Sequence, residues 1–209
     1  MFGGEDGFDV VIANPPYVSH VNYAKAEKEY LSRRFETFKE RADIYVAFYE
    51  EGIQLLKSQG HLTFIAPNKF FRSSYGKALR KYLLKNSRLK TIIDFGDTPI
   101  FEATTYPAII VLEKEVTSKT YSLRVITIST EEQLKNLDVY VDRQSISIGN
   151  SDLSEDCWLL ERPEVLRLIK KLKNTGILLS KYVNGKIFRG IVTGLNEAFI
   201  IDENTKSEL

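Results

Sequence analysis

The chain has 209 residues, 43% of them hydrophobic, with 29 basic and 28 acidic side chains, a formal net charge of +1 and one cysteine. That length holds one large domain, or one domain and part of another, with ample apolar material for a core. One cysteine excludes an internal disulfide framework and no apolar run approaches the ~18 residues of a membrane span. The opening Met1-Phe2-Gly3-Gly4-Glu5-Asp6 lacks the basic and apolar regions of a signal peptide, so a cytoplasmic protein is expected.

Phe8-Asp9-Val10-Val11-Ile12-Ala13 is a short apolar run bounded by Gly7 and Pro15, which predicts a buried parallel strand. Residues 18–41 are charged with scattered aromatics and predict a long loop with helical pieces. Asp43 is placed to cap a helix carrying Ile44, Phe48, Ile53, Leu55 and Leu56 and ending near Gly60. Residues 61–66 read as the next strand, stopped by Pro67, and Ser73 or Ser74 as the opening of a basic helix through Leu79, Tyr82 and Leu83. Residues 89–94 and 108–112 give two more strands with no helix between them, so an antiparallel edge is expected there. Strands alternating with helices imply an α/β sheet. A composition shift follows Lys114, and segments 121–128 and 137–148 alternate with period two, as strands of a different layer would. Pro163 suits the first turn of a helix through Lys173, and residues 186–189 and 198–201 read as strands around Gly190 and Gly194.

Asn14-Pro15-Pro16-Tyr17 follows the first strand directly, at the carboxyl end where α/β sheets gather their ligands. These residue types suit the methylation of an amino group on a planar base. The lone pair of such a nitrogen is delocalised into the ring, and two acceptors on its two N–H bonds draw it toward tetrahedral geometry. Asn14 supplies a side-chain carbonyl and Pro15 a backbone carbonyl, whose direction two consecutive prolines stiffen. Tyr17 offers a flat face for a base taken out of the duplex, with stacking worth about 1–3 kcal/mol. No ionised base is needed, because the nitrogen becomes cationic and acidic after the transfer. Residues 57–90 hold nine Lys or Arg and no acid, a stretch suited to a polyanion or simply to solvent. His20 and His61 have no ligand cluster at metal spacing, so no metal is expected.

With those residues in place, the sequence resembles the gamma-class amino-methyltransferases of restriction-modification systems, with the closest likeness to adenine enzymes of the TaqI-like and Eco57I-like type. Residues 8–17 resemble the catalytic motif, Ala42-Asp43-Ile44-Tyr45-Val46-Ala47-Phe48 the helix after it, and residues 60–68 the next strand and turn. Ile93-Asp94-Phe95-Gly96 and residues 101–108 resemble the last two motifs. The resemblance implies that Asn14 and Pro15 accept the adenine amino hydrogens, and that Tyr17 and Phe101 stack on the flipped base. It implies further that Pro16 and Phe48 line the adenine pocket of S-adenosylmethionine. Lys69 and Arg72, after the second strand, are expected near the DNA backbone. The family's glycine-rich cofactor turn should precede the catalytic motif. Asp94-Phe95-Gly96-Asp97 is no substitute, since it lacks a second close glycine and a following helix. A fragment is therefore expected, with the main cofactor motif on a missing N-terminal half.

The expected architecture is thus α/β. Residues 1–115 would form the C-terminal half of a Rossmann-like methyltransferase sheet with an antiparallel edge. Residues 116–209 would form a linker and the start of a mixed, mainly β DNA-recognition domain. The expected partner is double-stranded DNA carrying a flipped adenine, with no membrane partner. Two rival expectations share the motif: a methyltransferase acting on a protein glutamine amide, and a DNA-binding or specificity module without activity.

Overall fold

The computed structural model describes residues 7–39, 41–101, 105–115, 120–188 and 190. The chain divides into two compact units, Met1–Arg167 and Leu168–Leu209.

The first unit is built on a six-stranded mixed sheet in the order β1-β2-β4-β3-β5-β6. Its strands are β1 (Phe8–Ala13), β2 (Leu56–Pro67), β3 (Ser87–Asp94), β4 (Pro107–Lys114), β5 (Ser122–Thr127) and β6 (Ile146–Gly149). The helices between them are α1 (Lys25–Arg34), α2 (Tyr45–Leu55), α3 (Gly76–Asn86), α4 (Glu131–Lys135) and α5 (Leu137–Gln144). β1 runs parallel to β2, as its apolar run predicts. β4 is antiparallel to both β2 and β3, and β3 is parallel to β5. β1, β2, β3 and β5 therefore point the same way, and Ala13, Pro67, Asp94 and Thr127 end at one margin of the sheet.

Side chains alternate across a strand, and that alternation sorts two cores. Leu62, Phe64, Ile92, Ile110, Leu112 and Val125 face the larger one, with Tyr45, Val46, Tyr49 and Ile53 of α2 and Leu79 and Leu83 of α3. Ile93, Ile126 and Ile128 face a smaller one with Phe95, against which Leu134, Leu137, Tyr140 and Val141 pack. Trp158 is buried in the larger core, its amide donating to Phe71 O at 2.8 Å. The buried Arg80 fixes that segment, with Nε donating to Glu155 O at 2.8 Å and Nη2 to Asp156 O at 2.7 Å.

Several expectations are corrected. β1 is an edge strand with a single neighbour, and Val10 and Ile12 are 53% and 75% exposed, so it is not buried on both faces. The antiparallel β4 stands inside the sheet, while the antiparallel edge is β6, paired with β5. The cap of α2 is Ile44, because the Asp43 carboxylate instead accepts from the His20 amide at 3.2 Å. α2 ends at Leu55 and the chain turns at once into β2, whose pairing with β1 is bulged between Phe8 and Val10. Gly60 serves that bulge, since a Cβ there would lie 2.9 Å from Phe8 O. α3 opens at Gly76, after Tyr75, rather than at Ser73 or Ser74.

Downstream of 115, β5 joins the same sheet rather than another layer. Residues 137–144 are helical, because Leu137, Tyr140 and Val141 form an i, i+3, i+4 stripe onto the smaller core. The sheet thus continues past the expected boundary at 115. α6 (Pro163–Thr175) begins at Pro163 as predicted. In the second unit the described residues include α7 (Leu179–Tyr182), and residues 186–188 are not in a strand. Arg189, Gly194 and the strand expected at 198–201 lie outside the described residues. No helix among the described residues is long and apolar enough to cross a membrane.

Candidate active site

The Asn14-Pro15-Pro16-Tyr17 segment leaves the end of β1 in non-helical conformation, as consecutive prolines require. Asn14 and Pro16 are exposed, Pro15 is buried and Tyr17 is half-buried. The Tyr17 hydroxyl donates to Ile65 O on the adjacent β2 at 3.3 Å, which fixes the ring. Burial pushes the Tyr17 hydroxyl up to about 12, so it stays protonated through neutral pH. The Tyr17 and Phe101 rings meet edge to face, with centroids 6.0 Å apart and planes at 75°. Asn14, Pro15, Pro16, Tyr17, Phe101 and Thr105 together line an open cavity of about 320 Å³.

Five of the residues singled out from sequence thus converge on one cavity. The other three do not line it. Phe48 sits on α2 away from that helix's buried face, 38% exposed, although an apolar position in a helix of this kind ordinarily turns inward. Lys69 and Arg72 are exposed in the 3-10 turn after β2 and at its end, and they line a second cavity of about 610 Å³. This cavity lies at the ends of β2, β3 and β5, where Asn68, Asp94 and Thr127 also border it. Its lining carries both signs of charge, with Asp94, Asp97 and Glu161 as well as the two cations.

Asp94-Phe95-Gly96-Asp97 is a tight turn. Asp94 Oδ1 accepts from Asn68 Nδ2 at 2.8 Å and from the Gly96 amide at 3.1 Å, and Gly96 has φ of +50°. Its carboxylate therefore holds two strand ends together. Among the described residues no group of three or more His, Cys, Asp and Glu is placed to hold a metal ion.

Sequence reasoning passed over Thr105 and Asn68. Asn68 stands directly after a strand-stopping proline, a place that marks a sheet margin. Thr105 had no chemical signal of its own, because two threonines between the aromatic Phe101 and Tyr106 read as loop.

Comparison with known proteins gives a family and a fold. Residues 1–101 match the family described as Eco57I restriction-modification methylase. The type II methyltransferase M.BstVI of Geobacillus stearothermophilus is 31% identical over 211 residues, covering 93% of this chain and 37% of the relative. The type II restriction enzyme and methyltransferase RM.Eco57I of Escherichia coli is 32% identical over 208 residues, covering 96% of this chain and 20% of the relative. The chain thus spans well under half the length of these relatives. Among solved structures, a putative class I S-adenosylmethionine-dependent methyltransferase from Listeria monocytogenes superposes with a TM-score of 0.50 at 22% identity. It covers 66% of this chain and 43% of that one, and the likeness is one of fold: a mixed α/β sheet of the class I methyltransferase kind.

Proposed function

We propose, for a chain that carries an Eco57I-like restriction-modification methylase domain over residues 1–101, that the parent enzyme methylates DNA at N6 of a flipped adenine. The observation that carries this reading is the cavity at the end of β1, where the exposed Asn14 meets the Tyr17 and Phe101 rings. Asn14 Oδ1 and the Pro15 carbonyl accept the two amino hydrogens and pull the nitrogen lone pair out of conjugation. The gain is one of positioning and fixed dipoles in a preorganised site. Tyr17 stacks on the base, which offsets the few kcal/mol that flipping costs. A base lying parallel to Tyr17 stands at a steep angle to the Phe101 ring, so Phe101 bounds its edge. Lys69 and Arg72, on the neighbouring cavity, neutralise phosphates of the same strand.

S-adenosylmethionine, when bound, supplies an electrophilic methyl sulfonium. Pro16 and Phe48 fit it as flanking surfaces, since both are exposed apolar groups of this chain. The open lateral edge of β1 favours further strands beside it in the parent enzyme, and the bare face carrying Val10 and Ile12 favours a covering element. Those strands would carry the main cofactor motif. In the same reading, residues 116–209 contribute a linker and part of a target-recognition domain, with the first strands of that stretch completing the sheet.

The test is Asn14→Ala in the complete enzyme. Methyl transfer to an adenine-containing duplex is expected to fall at least about 100-fold, the scale of losing a preorganised polar contact to the reacting group. Duplex affinity should stay within about threefold. Unchanged methylation with weakened DNA binding would leave a binding module as the better reading, and methyl transfer to a glutamine peptide would replace DNA as substrate.

A further inference from the structure

We propose that Thr105 is a further substrate-reading residue, its hydroxyl donating to a ring nitrogen beside the amino group of the base in the Asn14–Tyr17 cavity. Thr105 lines that cavity with Asn14, Pro15, Pro16, Tyr17 and Phe101. Its Oγ1 is shielded from solvent and has no hydrogen-bond partner. Buried polar side-chain atoms are usually paired, so an orphan hydroxyl on the wall of a binding cavity calls for an explanation. The bound base supplies one, because it brings the missing acceptor.

The two residues after Thr105 are anchored through their carbonyls. The Asn68 amide donates to Tyr106 O at 2.7 Å, and the Phe95 amide donates to Pro107 O at 3.2 Å, where β4 begins. Rotation about χ1 moves Oγ1 to another staggered well, and a bound base gives the well that faces the cavity its acceptor.

The chemistry of the other described lining residues narrows this role to Thr105 and the Asn14 amide nitrogen. Pro15 and Pro16 have no N–H, and Phe101 has no polar side chain. The Tyr17 hydroxyl hydrogen is engaged by Ile65 O. Asn14 gives its oxygen to the amino hydrogens, which leaves its Nδ2 as a second donor beside the base. The adenine amino group is flanked by two ring nitrogens, N1 and N7, so there is an acceptor for each donor. Among the described lining residues, Thr105 is the remaining hydroxyl able to donate to one of them.

The inference rests on the base-methylation reading above, and one experiment separates the two. The complete enzyme, with Thr105→Val and Thr105→Ser, is assayed on duplexes carrying adenine, 1-deazaadenine or 7-deazaadenine at the target position. Wild type should lose about tenfold in kcat/KM on one of the two deaza substrates, the worth of one hydrogen bond. Thr105→Val should lose about tenfold on adenine and nothing further on that same deaza substrate, and Thr105→Ser should stay within about threefold of wild type. The thermal midpoint of Thr105→Val should be at or above that of wild type, because a methyl replaces an unpaired buried hydroxyl. A purely structural threonine would instead lower the midpoint and leave the deaza penalties unchanged. Wild-type activity of Thr105→Val on adenine, or the same deaza penalties in wild type and Thr105→Val, overturns the Thr105 role and leaves base methylation standing. No transfer to adenine by wild type overturns both.

Discussion

β1 and β4 are made of the same kinds of residue and live in different surroundings. β4 has a strand on each side, and its Ala108, Ile110 and Leu112 are fully buried. β1 has one neighbour, and two of its branched apolar side chains are largely exposed. Yet the thin flank, not the thick centre, ends in the Asn14-Pro15-Pro16-Tyr17 segment. Burial and chemistry are therefore separated along the sheet. The centre supplies rigidity, and the flank presents a site whose position depends on its hold on β2.

The largest contrast should appear in Ile110→Ala. Ile110 is fully buried against the larger core, and removing it forfeits transfer energy and leaves a cavity, together about 2–5 kcal/mol. Urea unfolding should show a lower midpoint with an unchanged slope. A loss under about 1 kcal/mol would mean that the centre is less tightly packed than its burial implies, and the contrast with β1 would collapse.

How much of this was legible in the sequence follows the same division. The runs in β1, β2 and β4 announced strands because each is short, largely apolar and flanked by Gly or Pro, and β3 did so by its Ile92-Ile93 pair. The motif's place at a strand end followed from Ala13 preceding Asn14. Strand order was not legible. The short link from β3 to β4 told that the pair is antiparallel, but β4's insertion between β2 and β3 is set by which faces must be covered, a long-range property. Leu137-Asp138-Val139-Tyr140-Val141-Asp142 alternates like a strand while also presenting Leu137, Tyr140 and Val141 at helical spacing. Packing against Phe95, Ile126 and Ile128 decides for the helix. Asp43 had the chemistry of a cap, and the nearby His20 amide competed for it. At the site, the approach of Tyr17 to Phe101 across 84 positions of sequence was carried by the family resemblance, whereas Thr105 needed the folded cavity to become visible.

Tyr17→Phe probes the stitch between flank and centre, with a smaller expected effect. Losing the bond to Ile65 O should lower stability at neutral pH by about 1 kcal/mol. The pH dependence gives a second readout. The folded state holds the Tyr17 proton up to about 12 against an ordinary value of 10.0. Below pH 10 both states are protonated and the contribution is complete. As pH rises from 10 toward 12 the unfolded chain ionises first, so stability falls through that window. Burial raises Tyr45 and Tyr49 in the same direction, so the wild-type slope is a sum. The Phe variant should show a shallower alkaline decline in denaturant titrations. An identical slope would mean that Tyr17 is more solvated than its place beneath the cavity implies.

The smallest effect is expected for Ile12→Ala, and it is the most informative about the flank. Ile12 is mostly in solvent, so its truncation in this chain should cost no more than about 0.5 kcal/mol. The same run of residues in a covered strand would behave like Ile110 and cost about 2–5 kcal/mol. Comparing the substitution in this chain and, under the proposed reading, in a longer enzyme therefore measures whether something packs on the bare face of β1. A cost that stays near zero in both would mean that the face carrying Val10 and Ile12 stays uncovered in the longer protein. A cost that rises only in the longer protein would mean that the exposed valine and isoleucine are an interface, and that the strand leading into Asn14-Pro15-Pro16-Tyr17 is covered there.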